Sequence, residues 1–304
     1  MLRERILATR RLRVDVLASR PWWLGVALLY LPIGLVLVAA RLTVMLSFVL
    51  LGVTLLGRRA ARALGRRWVL PLLGFRVRAS GGEQLRALRE GSEPYVIALN
   101  HVSYIDPLAV SASLQELGVP AFTFLASVAM GGAWPLALLG RLGFARDFIT
   151  TTGSAATPAQ RATTRAALIR LAEPRPGDEP RGPLVLFPEG QVHDCERYLL
   201  RYEKFCFGLG LPVAPVAVRH LHPWPVNFWF LGDHPLLSTL WLLFVPWTTW
   251  ESTALPVMAA APGEGAENFA ARVQAETASA LGCQSTAFTM VDVGELLGFS
   301  PAPR

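Results

Sequence analysis

The sequence predicts an α/β domain preceded by a membrane-embedded hairpin, and two patterns carry this prediction. Compact apolar runs, short enough to be buried strands, occur at 95–99, 184–187 and 212–218. Helical candidates separate the first two runs, and strands that alternate with helices are typical of α/β folds. Upstream, residues 21–40 carry no charge, which is the length of apolar chain that a bilayer-spanning helix needs.

The apolar N-terminal region is interpreted as a hairpin or re-entrant anchor. Residues 21–40 are uncharged, Arg41 interrupts them, and 42–57 are uncharged again. Because proline kinks or breaks a helix, we expect the hairpin to turn near Pro32 or Arg41. Arginines flank the region on both sides, and a segment that enters and leaves by one face keeps both flanks on the cytoplasmic side. A buried pair of core helices is the alternative.

The composition favours lipid over nucleic acid as the partner of this basic chain. Of its 304 residues, 52% are hydrophobic and 17% charged, with a net charge of +7, whereas soluble domains carry about 25% charged residues. The arginines bracket the apolar region, and no run of aromatic residues is interleaved with them for base stacking. Anionic membrane surfaces are therefore the expected partner.

The domain is predicted to begin after the hairpin. A basic helix and a short strand are expected within 58–89, and further helices at 108–117 and 163–172. The stretch 173–183 is rich in proline and glycine, which predicts a surface loop.

Two further segments complete the domain. Residues 236–250 form an apolar run with Pro246 and three tryptophans, so they are either core or an element that dips into the membrane interface. Residues 268–281 predict a closing amphipathic helix, with Asn268 as its cap and Gly282 as its stop. The chain is accordingly divided into a basic N-terminal segment (1–20), a membrane hairpin (21–57), the α/β domain (58–290) and a C-terminal tail (291–304).

The first chemical motif follows the run at 95–99. Residues 100–106 read Asn-His-Val-Ser-Tyr-Ile-Asp, and a strand end is where α/β folds place reactive groups. His101 can act as a general base near neutral pH if another group fixes its tautomer. Asp106 can turn back to accept a hydrogen bond from one ring nitrogen, which leaves the other for a substrate hydroxyl. Taken alone, an incidental histidine before a helix-capping aspartate is the simpler explanation.

Three more segments extend this motif. Phe-Pro-Glu-Gly at 187–190 places Glu189 beside a glycine after the second apolar run, which suits recognition of hydroxyl groups. Arg146 closes the segment 140–146 and could pair with a phosphate. The prolines of the 212–218 run predict an edge strand. Each segment alone also fits a plainer explanation, such as an ordinary turn or a solvated arginine.

In this order, the four segments together resemble the glycerolipid acyltransferase superfamily, which includes bacterial 1-acylglycerol-3-phosphate acyltransferases and eukaryotic lysophospholipid acyltransferases. The resemblance covers about 95–218 and implies a mixed sheet flanked by helices. It also implies that His101 deprotonates the acceptor hydroxyl, which attacks the thioester of acyl-CoA, while Asp106 orients His101. Substrate binding is implied for Asn100, Arg146, Glu189 and Gly190.

Outside the motifs, the chain is similar to a narrower group. The segments 28–34, 243–248 and 268–274 resemble the ancient ubiquitous protein 1 family, monotopic proteins of lipid droplets and the endoplasmic reticulum, and also the lysophosphatidylcholine acyltransferases. One departure bears on acceptor binding and activity. After Gly190, acyltransferases usually have Thr or Ser and often a nearby Arg, whereas this chain has Gln-Val-His at 191–193.

The thiols and the other imidazoles show no pattern of a metal site, so we predict none. Cys195, Cys206 and Cys283 have neither paired nor metal-ligand spacing, and a sparse odd set suits a reducing compartment. The remaining histidines are scattered and are expected to be solvated loop residues: His193, His220, His222 and His234.

Two functions are compatible with these observations, and the enzyme is favoured. We expect a membrane-bound acyltransferase that uses acyl-CoA as co-substrate, needs no cofactor and acylates a lysophospholipid or glycerol-phosphate acceptor. The alternative is a scaffold whose acyltransferase domain is weakly active or inactive. A soluble hydrolase is disfavoured because no Gly-x-Ser-x-Gly elbow is present. Either function predicts a lipid-droplet or endoplasmic-reticulum protein with its domain facing the cytosol, and no protein partner is indicated.

Overall fold

The computed structural model describes residues 20–90, 94–127, 147–151, 182–190, 192–193, 195–224, 235–289 and 292, with a few positions between 159 and 168. In these residues a long apolar helix precedes a seven-stranded mixed sheet that carries helices. The predicted α/β class with a mixed sheet is confirmed.

The large sheet has the strand order β1-β8-β7-β2-β5-β3-β4. Neighbouring strands are parallel except for the antiparallel pair β7 and β8. Its strands are β1 (Phe75–Ser80), β2 (Val96–Leu99), β3 (Thr123–Ser127), β4 (Asp147–Thr151), β5 (Leu184–Leu186), β7 (Val213–Leu221) and β8 (Thr248–Ala254). A second, two-stranded sheet pairs β6 (Tyr198–Leu199) with β9 (Gln284–Ser285).

The three predicted strands are β2, β5 and β7, but the expected edge position of β7 is wrong. This strand lies between β8 and β2 in the middle of the sheet. Its Pro215 carbonyl accepts a bond from the N–H of Leu255, so the proline nitrogen faces the same side, where β8 has already ended at Ala254. The missing N–H therefore costs no ladder bond, and a central strand can carry this proline.

Six helices are described. They are α1 (Trp22–Thr54), α2 (Arg58–Leu64, continued by a π turn over Gly65–Val69 and by Leu70–Leu72), α3 (Glu83–Glu90), α4 (Asp106–Glu116), α5 (Pro235–Phe244) and α6 (Ala266–Leu281). Helices α4 and α6 confirm two predicted helices, and α2 with β1 confirms the expected helix and strand. Helix α6 begins earlier than predicted, with Gly265 rather than Asn268 at its cap, and it ends at Gly282 with φ of 70°. The predicted helix 163–172 and loop 173–183 lie mostly outside the described residues.

The predicted break of the apolar region at Pro32 or Arg41 is wrong, because α1 runs through both positions as one helix of 33 residues. A helix of this length measures about 50 Å, more than the hydrocarbon core of about 30 Å. In the described part of the chain it is the one helix long and apolar enough to cross a membrane. Arg41 does not interrupt it because the protein itself binds the guanidinium.

Helix α1 docks on the turn between α5 and β8. Arg41 Nη1 donates to the carbonyls of Leu243 (2.7 Å) and Val245 (2.6 Å), and Nη2 donates to that of Pro246 (2.6 Å). One turn and more towards the N-terminus, a Cβ at Gly34 would lie 2.2 Å from the ring of Phe244, so only glycine allows this approach. The docking joins α1 to the residues that directly precede β8.

The apolar run 236–250 is divided between surface and core. Its first part forms most of α5, and its last part enters β8, where Trp250 is fully buried. Trp247, in the turn between them, is 41% exposed and contacts the guanidinium of Arg76. The core alternative is confirmed for Trp250, and contact of Trp247 with the membrane interface stays a prediction.

Candidate active site

The candidate site lies where β2 ends, and Asn100 closes the strand. Its Nδ2 donates to the carbonyl of Val218 (2.9 Å), and its Oδ1 accepts from the N–H of Val218 (2.7 Å). The amide thus continues the pairing with β7 for one residue after the backbone of β2 turns away. Asn100 is fully buried, and the substrate contact expected of it stays a prediction.

His101 and Asp106 form a buried pair. Nδ1 of His101 lies 2.8 Å from Oδ2 of Asp106, and the same oxygen accepts from the N–H groups of Val102 (2.8 Å) and Ser103 (2.9 Å). Asp106 is the first residue of α4, where the helix dipole favours a negative charge. The tight turn from β2 into α4 therefore brings the two side chains together, as their spacing predicts.

The second oxygen of Asp106 accepts a hydrogen bond from a residue that is distant in sequence. Trp250, in β8, donates from its indole Nε1 to Oδ1 of Asp106 at 3.0 Å. The carboxylate has no solvent exposure, so it relies on these donors instead of water.

This geometry assigns the tautomer of His101. Since Nδ1 faces a carboxylate, the ring proton lies on Nδ1 and the lone pair on Nε2. Nε2 makes no hydrogen bond to the described part of the chain. One face of the imidazole stacks on the ring of Phe187, with centroids 4.1 Å apart and planes 12° apart. The arrangement is that of a general base whose reactive nitrogen is left for a ligand.

Glu189 holds the loop behind His101. Its Oε1 accepts from the backbone N–H of His101 (3.1 Å), and its Oε2 accepts from the N–H of Leu200 (2.9 Å) and bonds to Nε2 of His193. The residue is 1% exposed, so the structure shows Glu189 joined to the protein, and its expected acceptor contact stays a prediction. The adjacent Gly190 is exposed and has φ of 69°, a left-handed conformation that favours glycine.

His193 and Cys195 were not anticipated as part of this site. The expectation that His193 is solvated is wrong, because it is 3% exposed and bonded to Glu189, and the Sγ of Cys195 lies 3.4 Å from its Nε2. The spacing Glu-x-x-x-His-x-Cys was the signal in the sequence.

Glu189, His193 and Cys195 offer ligand atoms within 4.8 Å of one another, a donor set that suits zinc. The N–H of Cys195 points at Nδ1 of His193 (3.2 Å), however, which leaves the ring proton on Nε2, facing Glu189. A hydrogen-bonded cluster accounts for these contacts, and the absence of a resident metal stays a prediction.

The other predicted residues lie apart or outside. His220 belongs to β7, and His222 follows it; burial lowers the pKa of His220 well below 6.5 and also lowers that of His222. The expected loop position is therefore wrong for His220, which lies in β7, whereas His222 lies in the loop after this strand and is half-buried. Arg146 and His234 lie outside the described residues.

Comparisons with known proteins identify a family model and several relatives. Residues 76–219 match the family model described as Acyltransferase, a span that contains His101, Asp106 and Glu189. A Caenorhabditis elegans protein, "Lipid droplet-regulating VLDL assembly factor AUP1 homolog", is 27% identical over 274 residues, 88% of this chain and 62% of that protein. The human and Xenopus tropicalis AUP1 proteins are 32% identical over 125 residues and 34% over 116, which is 41% and 38% of this chain. The chain thus spans less than two thirds of the nematode relative's length, and the other two alignments cover 30% and 28% of those relatives.

Proposed function

Because residues 76–219 form a domain of the glycerolipid acyltransferase superfamily, and the chain is homologous to the AUP1 proteins, we propose that it is a membrane-bound acyltransferase. The reaction proposed is transfer of an acyl chain from acyl-CoA to a hydroxyl of a lysophospholipid or related glycerolipid. A single observation carries the proposal, the buried hydrogen bond of 2.8 Å between His101 and Asp106.

The chemistry follows from the assigned tautomer. Nε2 of His101 removes the proton of the acceptor hydroxyl as its oxygen attacks the thioester carbonyl. The tetrahedral intermediate collapses, the C–S bond breaks, and the thiolate of CoA takes up the proton from His101. Asp106 stabilises the transient imidazolium and keeps Nδ1 protonated, as in other histidine–carboxylate pairs. No metal or cofactor is needed for this sequence of steps.

Acceptor binding is assigned to residues around this pair. Gly190 is exposed beside Glu189, and its missing side chain leaves room for a polar head group there, while its own N–H donates to the Phe187 carbonyl (3.1 Å). Arg146 is proposed to pair with an acceptor phosphate, because guanidinium groups form bidentate bonds with phosphates. The apolar helix α1 gives lipid substrates a route to the domain, which we place on the cytosolic face of the endoplasmic reticulum or of lipid droplets.

A second function, a lipid-droplet scaffold, is favoured by two observations. The curated relatives carry the name of lipid droplet-regulating factors. In addition, His193 stands in the segment where acyltransferases usually have small hydroxyl residues and an arginine, and it bonds to Glu189. A scaffold would keep the buried pair for its fold and would lack turnover.

Acyl transfer by the purified full chain in lipid vesicles distinguishes the two functions. Labelled acyl-CoA is offered with a panel of lysophospholipids and with glycerol 3-phosphate. The enzyme predicts transfer to at least one acceptor that His101→Ala abolishes and His222→Ala, a second imidazole outside the pair, retains. Transfer equal in the wild type and His101→Ala, or none for any acceptor, would favour the scaffold.

A further inference from the structure

Trp250 binds the candidate site from outside the region that matches the acyltransferase model. The matched span ends at residue 219, whereas Trp250 lies in β8, 144 residues after Asp106. Its Nε1–H donates to Oδ1 of Asp106 at 3.0 Å, and the indole has no solvent exposure. In the described part of the chain, Oδ1 accepts this bond alone, while the other donors go to Oδ2.

The orientation of the indole is fixed by its neighbours. Phe75 in β1 contacts one side, with ring centroids 5.1 Å apart, and His220 in β7 contacts it at 4.7 Å, both nearly edge-on. Trp250 is paired in register with Val77 on one side and with His220 on the other. Held between two strands and packed against two rings, the N–H has one direction open to it, toward Asp106.

The carboxylate needs this second point of attachment. The two backbone donors and His101 all meet Oδ2, so they hold the carboxylate through one of its two oxygens. A donor at Oδ1 holds the second oxygen and restrains movement of the whole group. It also satisfies an acceptor that is buried away from water, where an unpaired oxygen is costly.

We propose that Trp250 is a positioning residue of the His101–Asp106 pair. Its indole N–H anchors the second oxygen of the Asp106 carboxylate, which helps to keep Oδ2 aimed at Nδ1 of His101 and the reactive lone pair on Nε2. The effect of Trp250 on turnover rests on the proposed acyl transfer. Its effect on the hydrogen bond between His101 and Asp106 can be tested without any turnover.

The test compares Trp250→Phe, which keeps a buried ring and removes the N–H, with Trp247→Phe. The control removes an exposed indole N–H from the turn before the same strand. The proton shared by His101 and Asp106 is followed by NMR on the full chain in micelles as a low-field resonance, assigned by its disappearance in His101→Gln. Circular dichroism verifies that each variant is folded.

Trp250→Phe is expected to abolish or broaden the low-field resonance, and Trp247→Phe to retain it. In the transfer assay, Trp250→Phe should lower kcat about ten- to a hundredfold at unchanged KM, the range for losing a hydrogen bond to a charged group. A wild-type resonance in folded Trp250→Phe overturns the proposal. Absence of transfer in the wild type counts against the proposed function alone, because the NMR result still decides the role of Trp250.

If the Trp250→Phe protein does not fold, a second replacement at the same position tests the proposal. β-(3-benzothienyl)alanine at position 250 has the shape of tryptophan, with sulfur in place of the N–H. It is expected to keep the fold and to lose the low-field resonance, and a retained resonance overturns the proposal as before.

Discussion

Asp106 receives its hydrogen bonds from two distant parts of the chain. Val102 and Ser103 donate from the turn directly before it, and Trp250 donates from β8. The N–H groups of Val102 and Ser103 hold the carboxylate beside the histidine. Because Trp250 lies in β8, the full set of bonds also requires that this strand is in place in the sheet. The site is therefore assembled only when β8 has joined β1 and β7.

The charge of Asp106 is expected to matter more than its shape. In Asp106→Asn an amide replaces one carboxylate oxygen, and its NH₂ group can turn toward Nδ1, which favours the tautomer protonated on Nε2. We expect acyl transfer to fall by about a thousandfold or more with a smaller change in KM, because the base then presents a proton instead of a lone pair. Steady-state kinetics in lipid vesicles measure this. Asp106→Asn turnover within a factor of about three of wild type would be inconsistent with the assigned tautomer.

The histidines at the end of β7 predict how stability depends on pH. Burial lowers the pKa of His220 well below 6.5, so the folded chain keeps this imidazole neutral when the unfolded chain binds a proton. As the pH falls below about 6.5, we expect the free energy of unfolding to fall by up to about 1.4 kcal/mol per pH unit for this group. Denaturant unfolding at several pH values measures the slope.

The matched variants for this prediction lie on the same strand. His220→Asn removes the titrating group and should flatten the pH dependence between its folded pKa and 6.5. Arg219→Gln, at an exposed neighbouring position, should leave the dependence as in wild type. Equal slopes in His220→Asn and wild type would assign the loss of stability to other groups.

At the scale of elements, the guanidinium of Arg41 joins α1 to the turn before β8. It is 6% exposed and donates to three backbone carbonyls between Leu243 and Pro246. Leu243 lies in the last turn of α5 and the other two carbonyls follow it directly, and the last residues of a helix lack intrahelical donors for their C=O groups. Arg41 thus supplies donors that the end of α5 requires, and it fixes the start of the strand that carries Trp250.

Replacing Arg41 with leucine is expected to lower the free energy of unfolding by about 3 kcal/mol or more, because several buried acceptors lose their donors. Arg41→Lys should recover part of this loss, since an ammonium group is compact and lacks the planar fork. Arg20→Leu, at an exposed position before α1, serves as the control. The measurement is thermal unfolding in detergent micelles. Matching midpoints for Arg41→Leu and Arg20→Leu would contradict a structural role for these bonds.

Elements set by local patterns could be predicted from the sequence, and long-range placement could not. The buried strand at 95–99 and the pairing of His101 with Asp106 depend on residues a few positions apart, so pattern and spacing were sufficient. The sequence predicts a break near Arg41 because an isolated charge in an apolar run has no visible partner there. Its partners lie more than 200 residues away. For the same reason the sequence does not decide whether Trp250 lies in the core or at the membrane.

The neighbourhood of Glu189 shows the same limit. The Phe-Pro-Glu-Gly motif predicted a strand end correctly, but the exposure of a side chain depends on what packs over it. Leu200 and His193 cover Glu189 because the loop after Gly190 folds back toward His101, with His193 N–H donating to the His101 carbonyl at 2.9 Å. No periodicity in so short a loop indicates that return.

At the scale of the whole molecule, one face of α1 packs against the domain and the opposite face is exposed. Residues that touch the domain recur at helical spacing along one side: Tyr30, Gly34, Arg41 and Phe48. The remaining surface is apolar and exposed, with Leu28, Leu29 and Val36 at 72%, 79% and 69% exposure. An apolar surface of this length exceeds what soluble proteins leave in water. This surface favours association of α1 with a membrane, while the opposite face of the helix packs on the domain.

This division predicts that membrane binding can be weakened without unfolding the domain. Lysines at Leu28 and Leu29 add charge to the exposed face only. A charge costs about 2.5–3.5 kcal/mol at the centre of a membrane helix and less toward its ends, where these two residues lie. We expect the double variant to shift from the membrane to the soluble fraction in a liposome flotation assay, while its Arg41 contacts and thermal unfolding are retained. The control, Ala275→Lys with Ser279→Lys, adds the same charge to the exposed face of α6 and should float as wild type does. Continued flotation of the Leu28/Leu29 variant would show that another surface is a sufficient anchor, and exposed Trp68 on α2 and Trp247 beside β8 would be the next residues to replace.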